Sequence, residues 1–594
     1  MTTAQANELP SQQIKINSSD VEPTQRKPLR VWPGVVIVIV QWLAWFVVPV
    51  LRPDALLYAM LTGVGCALAL ALWWLFFSRA PWLERVGALV LIVIALIGTK
   101  RLVHESIAGG SMGFLLYFAS IPVLSLALVA SAVVSRRFSA GSRRAVIAAG
   151  ILCACGVFLL LRTGGNTGDW DNDFHWRWSK TPEQLLLARG ADEPAAVPST
   201  PISPSSDKIS ADWPGFRGPQ RDGTVRGVKI KTDWSASPPI EMWRRPIGPG
   251  WSSFAVRGGR LYTQEQRGND EIVACYDMTT GKLVWKHGDA ARFYESNGGP
   301  GPRATPTLGN GRVYTLGATG ILNVLDDNTG AVVWSRNAVS DTGAKIPGWG
   351  ISGSPLVVSD VVIVATAGNL VAYDLATGKP RWFGPRGGNS YSSPQLLTID
   401  GVAQILLMSS TGATSVVLAD GKPLWNYSWP SDTRIMQPAV IAGGDLMISV
   451  GDGMGGGGMR RISVKQDSSG WTIQERWTSE ELNSNFNDLV VHKNHAYGFD
   501  YGTVACIDLN DGRRKWKGAR IGYGQLVLLP DQDVLVVLSE KGELALVKAT
   551  PEQFTELARF PGIEGKTWNH PVLAGDVLLV RNDHEMAAFR LAVP

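Results

Sequence analysis

The chain has 594 residues and only five cysteines, and their positions exclude most cysteine chemistry. No Cys-x-x-Cys pair and no haem-attachment motif is present, so neither a zinc knuckle nor a covalently held haem is encoded. Cys66, Cys153 and Cys155 lie in apolar stretches. Cys275 stands ten residues before Trp285 and Cys506 ten before Trp516, in well-separated copies of one repeat, which is too far apart for a disulfide. Net charge is only +5, and the C-terminal part holds no dense basic run, which argues against nucleic acid as a partner. His492-Lys-Asn-His495 has a spacing known from metal sites but no companion ligands, and reads as a surface turn. The glycine-rich stretch from Gly451 to Gly458 lacks the Lys-Ser/Thr and the helix of a phosphate loop. It reads instead as a flexible strand connection.

What is present begins with a polar tail, residues 1–33, expected to be disordered and cytoplasmic, with Arg26, Lys27 and Arg30 near its end. Five apolar stretches follow, near 34–51, 55–77, 82–99, 113–134 and 145–161, forming an α-helical membrane domain over 34–161. With five spans and the N-terminus inside, the inner segments carry Arg26, Lys27, Arg30, Arg79, Arg85, Arg136, Arg137, Arg143 and Arg144. The outer segments carry only Arg52, Lys100, Arg101 and Arg162. That asymmetry puts residue 163 onward on the far side of the inner membrane, with no cleavable signal peptide expected. The span centres hold no Asp, Glu, Lys or Arg, which favours an anchor over an ion or proton path. Residues 162–210 read as a juxtamembrane piece. Trp170, Trp176 and Trp178 suit the headgroup layer, Thr181 caps a short helix with Pro182 at its first position, and 190–210 form a flexible tether.

From residue 211 to 594 one unit keeps returning. Val273–Trp285, Ile321–Trp334, Leu370–Trp382 and Val504–Trp516 each hold a strand ending in Asp, a Gly-containing turn, and a second strand ending in Trp. The register marks Trp243, Trp285, Trp334, Trp382, Trp425, Trp477, Trp516 and Phe560 recur at roughly 40 to 50 residues, the period of a β-propeller blade. Eight lead-in segments alternate with these marks, so eight blades are predicted. Because Trp243 precedes the first lead-in and the last unit lacks its final strand, the strand around Trp243 should close the ring. The lead-ins should converge on one funnel mouth. They offer Trp251, Ser252, Arg303, Ser352, Tyr391, Gln437, Asn485, Asn487, Asp488, Gln525, Asn569 and His570 as ligand- or cofactor-binding candidates. An arginine fork and aromatic faces could hold a planar polyanionic quinone, with Asp488 or Glu295 serving a Ca²⁺ or acting as base. The same residues could equally satisfy loop backbone groups around a wet channel. No catalytic residue and no metal ligand set is assigned.

These repeats resemble the pyrroloquinoline-quinone-like (PQQ-like) β-propeller family. Asp212-Trp-Pro-Gly-Phe-Arg-Gly-Pro-Gln-Arg-Asp-Gly223, Gly301-Pro-Arg-Ala-Thr-Pro306 and Gly350-Ile-Ser-Gly-Ser-Pro355 resemble its BamB-like branch. The resemblance covers residues 212–594. It implies an all-β eight-bladed propeller behind a five-helix membrane domain, acting as a scaffold for a periplasmic protein or small ligand. The alternative it implies is a membrane-bound quinoprotein dehydrogenase, using PQQ with Ca²⁺ and passing electrons to membrane quinone. The layout is similar to membrane-bound quinoprotein glucose dehydrogenases, but the propeller is shorter and lacks the adjacent Cys-Cys pair of many alcohol-oxidising relatives. None of their calcium ligands or catalytic Asp is matched by motif.

Overall fold

The computed structural model describes residues 29–52, 55–190, 213–431, 434–441, 443–450 and 457–594. Most of the polar tail, most of the tether and residues 451–456 of the glycine-rich stretch lie outside the described residues. The chain divides into two compact units, one of residues 1–103 and 116–160, the other of 104–115 and 161–594.

In the first unit five helices are long and apolar enough to cross a membrane: Trp32–Leu51, Leu56–Phe77, Trp82–Leu102, Leu115–Val134 and Ala140–Leu159. About 20 residues at 1.5 Å each match a hydrocarbon core of about 30 Å. The fifth helix starts five residues earlier than its apolar run, and so takes in Arg143 and Arg144. Their charges are met there: the Arg143 guanidinium forks onto the buried Glu84 carboxylate at 2.7 and 2.8 Å, with Arg144 at 3.5 Å. A bidentate pair at the helix ends lets both charged termini approach. Gly63 sits so close to the Trp45 ring that a Cβ there would lie 2.2 Å from it, the close approach that small residues give packed membrane helices.

The second unit is an eight-bladed β-propeller of four-stranded antiparallel sheets. Blades 1 to 8 start at the axis with the inner strands Ala255–Arg257, Thr307–Gly309, Leu356–Val358, Gln395–Ile399, Ala439–Val440, Val490–His492, Gly524–Leu529 and Val572–Ala574. Blade 8 takes its outer strand from Ile240–Pro246, which pairs with Glu585–Arg590, so the ring closes through the Trp243 strand as expected.

The repeated Asp-Gly-Trp half is blade scaffolding. Asp277 Oδ1 accepts from the Thr279 and Thr280 amides and the Thr280 hydroxyl, folding the turn. Gly281 continues it at φ 64° beneath the Trp243 indole, where a Cβ would lie 2.6 Å from the ring. Each indole fills the wedge to the next blade and donates its N–H to a turn carbonyl there: Trp243 to Met278, Trp285 to Asp327, Trp334 to Leu375, Trp382 to Leu418, Trp477 to Leu509 and Trp516 to Thr550. Trp425 differs. Blade 5 replaces the short turn by a long hairpin, Met459–Asp467 with Gly470–Ser479, and the Trp425 N–H turns back to Gln404 Oε1 at 2.6 Å. Phe560, which has no N–H, packs against Trp234 and Phe589.

Candidate functional site: the two ends of the propeller axis

The lead-in segments precede the inner strands and meet at one end of the axis, here the upper end. Their polar groups join into a ring of hydrogen bonds running from blade to blade. The Ser253 amide donates to Thr305 Oγ1 (3.0 Å), the Thr305 amide to Ser354 Oγ (3.0 Å), and the Ser354 amide to Ser393 Oγ (2.9 Å). Ser392 Oγ donates to the Met436 carbonyl (3.2 Å), the Gln437 amide to Asp488 Oδ1 (2.8 Å), and the Asp488 amide to Gln525 Oε1 (3.3 Å). Gln525 Nε2 reaches the Trp568 carbonyl (3.4 Å), and Asn569 Nδ2 closes the circle on the Ser252 carbonyl (2.8 Å). All eight blades take part. Ser252 Oγ accepts from Gln264 within its own blade, and Asn487 donates to the Gly524 carbonyl. Six of the predicted candidates, Ser252, Gln437, Asn487, Asp488, Gln525 and Asn569, are therefore brought together as stitching between or within blades. The hydroxyls of Thr305, Ser354 and Ser393 are members that sequence reasoning missed. Their signal was a hydroxyl directly before Pro in three lead-ins.

Of the remaining candidates, all but His570 sit above this ring. Trp251 donates its indole N–H to the Gly298 carbonyl at 2.8 Å, and its ring lies 4.7 Å from that of Trp568. Lys566 Nζ stands over both indoles, 5.3 and 4.6 Å from their centroids, and donates to the Asn297 carbonyl. Arg303 is turned onto the Gly299 and Pro300 carbonyls and Glu295, and burial lowers its pKa to about 10. Tyr391 packs on Trp349 at 5.0 Å, and Ser352 donates to the Gly350 carbonyl. Asn485 is half-buried beside Phe486.

This mouth is roofed by the chain itself. The hairpin of Leu161–Asn166 and Asn172–Trp176 docks through the Gly168 amide on Glu540 Oε1 (2.7 Å), which also accepts the Trp568 indole N–H. The hairpin adds an Asp169–Arg520 ion pair and a Gly164 carbonyl for Lys566. Burial raises the Glu540 carboxyl to about 7 and lowers the Lys566 ammonium. The helix Pro182–Arg189 follows, with Thr181 as its cap and Pro182 at its first position as predicted, and Gln184 adds a reciprocal capping box. Its Glu183 forks onto Arg292 at 2.7 and 2.9 Å and accepts the Gly268 amide.

The lower end is crossed by the segment Trp213–Val225, most of the motif singled out for its family resemblance. Trp213 exchanges both backbone hydrogen bonds with Val256 of blade 1, and its neighbour Pro214 accepts from Leu308 of blade 2. Gly223 accepts from Leu528 of blade 7, and Val225 donates back to it. Arg221 donates to the Ser354 and Pro355 carbonyls of blade 3, and Arg217 to the Leu489 carbonyl of blade 6. From below, Arg217 lies 3.7 Å from Asp488, whose other neighbour, His570 Nε2, is 3.2 Å away with its ring edge-on to Phe216. Burial alone would raise the Asp488 carboxyl, but Arg217, the His570 hydrogen bond and the Gln437 amide together hold it below the usual carboxylate range.

A bound planar quinone does not fit this arrangement. Of its aromatic candidates, Trp251 is covered by Trp568 and Tyr391 by Trp349, the Arg303 donors are engaged by carbonyls and Glu295, and Arg217 and His570 already flank Asp488. Among the described residues no group of three or more His, Cys, Asp or Glu side chains converges as a metal site. His492 and His495 flank a hairpin turn, with His492 paired to Asp533.

This fold and its repeat chemistry define a PQQ-like β-propeller. The family model described as outer membrane protein assembly factor BamB matches residues 221–398 and 269–518, half of the chain, and the chain belongs to that family. It is similar to the outer membrane protein assembly factor BamB of Bordetella pertussis, at 24% identity over 330 residues, 53% of this chain and 74% of that one. Among solved structures it is similar to BamB from Moraxella catarrhalis, at 15% identity, TM-score 0.42, covering 59% of this chain and 98% of that one. It is also similar to the quinohemoprotein alcohol dehydrogenase from Comamonas testosteroni, at 14% identity, TM-score 0.46, covering 70% and 84%.

Proposed function

We propose that this chain is a membrane-anchored propeller acting as a BamB-like binding scaffold on the periplasmic side of the inner membrane. Five long apolar helices and the excess of arginine in their inner loops support the anchor and its orientation. The observation that carries the scaffold reading is the closed hydrogen-bond ring at the upper end of the axis. Where a quinoprotein would keep an open socket, the polar lead-in groups bond one another and the mouth lies beneath the chain's own hairpin. A propeller whose upper mouth is closed in this way works through its other surfaces, so the partner is a periplasmic protein or a small ligand bound without turnover.

Two measurements test this. Purified full-length protein is incubated with PQQ and Ca²⁺ and followed for cofactor absorbance and dye-linked oxidation of alcohols and sugars; neither should appear, and saturable binding with turnover would overturn the reading. In whole cells, photo-crosslinkers at exposed propeller positions such as Phe383 and Ile346 should capture a discrete polypeptide. If no position on the propeller surface captures one, and no small ligand co-purifies, the scaffold role is wrong.

A further inference from the structure

The segment Trp213–Val225 shows how a polypeptide binds to this propeller from below. Along an inner strand alternate residues face their neighbours in pairs that exchange no hydrogen bonds, so the N–H and C=O of those residues point toward the axis. The pairs Val256–Leu261, Leu308–Val313 and Leu528–Leu535 are of this kind. Their axial amides are taken by the crossing segment, through the carbonyls of Trp213 (2.7 Å), Pro214 (2.7 Å) and Gly223 (2.9 Å).

The equivalent positions in blades 3, 4 and 5 are Val357, opposite Val362, Leu396, opposite Ile405, and Val440, opposite Leu446. The crossing segment supplies no backbone bond to any of them, and among the described residues none of their axial amides has a partner. Leu396 is 39% exposed and Val440 47% exposed, high for apolar side chains on inner strands. At the blade 3 end this arc opens into a cleft of about 300 Å³ lined by Phe216, Pro219, Arg221, Asn310, Val357 and Ser359. Arg221 uses two of its five N–H groups on carbonyls, and no carboxylate among the described residues pairs with it.

We propose that the lower edge of blades 3 to 5 is a docking slot for an extended segment of a partner polypeptide, bound by backbone hydrogen bonds to Val357, Leu396 and Val440. The occupant continues around the axis the strand-edge contacts that Trp213–Val225 makes with blades 1, 2 and 7. Backbone bonding gives affinity with little sequence demand, while alternate side chains give selectivity. Here selectivity favours apolar groups toward Leu396 and Val440 and a carboxylate at the Arg221 end. A polypeptide is favoured over a sugar or lipid because the unused groups are strand-edge amides and carbonyls, beside an edge that already holds a polypeptide. The inference rests on the scaffold reading. The peptide titration below reports the slot alone and the cellular crosslinking reports the role, so each can fail without the other.

The probe is an end-blocked, fluorescein-labelled peptide Asp-Val-Thr-Val-Thr-Val, titrated against full-length protein in detergent micelles by anisotropy. Saturable binding is expected, with amide exchange slowed at Val357, Leu396 and Val440. N-methylation of alternate peptide amides should weaken binding about tenfold or more, and Asp to Asn in the peptide several-fold. Val440→Pro, which removes an axial N–H, and Leu396→Asp, which puts a carboxylate in the slot, should each weaken it similarly. The peptide-side changes keep the test valid if a protein variant misfolds. No saturable binding up to millimolar peptide, or binding indifferent to N-methylation, overturns the proposal. So does protection of the three amides before any peptide is added, which would mean that the chain itself or a second copy fills the slot.

Discussion

The two ends of the propeller axis are closed by opposite means. At the upper end a hairpin is held by ionisable side chains: Glu540 accepts an amide N–H, Asp169 pairs with Arg520, and Lys566 sits between indoles and carbonyls. At the lower end a segment is held chiefly by backbone bonds to strand edges, with two arginines as rivets. A closure built on ionisable groups responds to pH and can be released. A closure built on backbone bonds persists, and it leaves unused edge where it stops.

The contrast can be broken or sharpened by substitution. Trp285→Ala removes an indole wedge common to both ends and should cost about 3–5 kcal/mol in denaturant unfolding, loosening both closures alike. Asp488→Asn discharges the carboxylate between Arg217 and His570 and should cost about 2–3 kcal/mol. Amide exchange should quicken at Leu308 and Leu528 below while the Gly168 amide above stays protected. The pH dependence should separate the ends. A carboxyl held at about 7 when docked, above its ordinary value, adds docking strength that is fully present below the ordinary carboxylate range and lost as pH climbs through about 7. Gly168 exchange should therefore quicken, beyond its intrinsic rate, between pH 5 and 8, and Glu540→Gln should flatten that response without affecting Leu308. The smallest effect belongs to Glu183→Gln, whose half-exposed pair with Arg292 should be worth less than about 1 kcal/mol, read as faster exchange in the helix Pro182–Arg189 alone.

Blade number, ring closure and the Thr181 cap were legible in the sequence because each rests on local or periodic chemistry: Trp against Gly at a fixed spacing, Thr directly before a Pro at the first helical position. The fate of the lead-in residues was not. Asp488, Asn569 and Gln437 have the same composition whether they face a ligand or a neighbouring blade, and only their mutual distances decide. The Trp213–Val225 segment was noticed as a motif, but it has no period, and its partners at Ser354, Leu489 and Leu528 are remote in the chain. Indole content pointed the 168–178 stretch toward lipid. Gly168 and Asp169 of that stretch dock on Glu540 and Arg520, contacts the indoles did not signal, while Trp176 and Trp178 stack on each other, 51% and 69% exposed.

The pairing of Ile240–Pro246 with Glu585–Arg590 has a consequence in time. The first propeller strand cannot find its neighbour until Glu585–Arg590 has been made, so until then the growing ring is an open arc with an uncovered blade face at each end. Contacts between such distant partners form slowly, and the open arc is the species most exposed to mispairing. Loss of residues 585–590 should therefore leave the Ile240–Pro246 strand without its partner and the ring open.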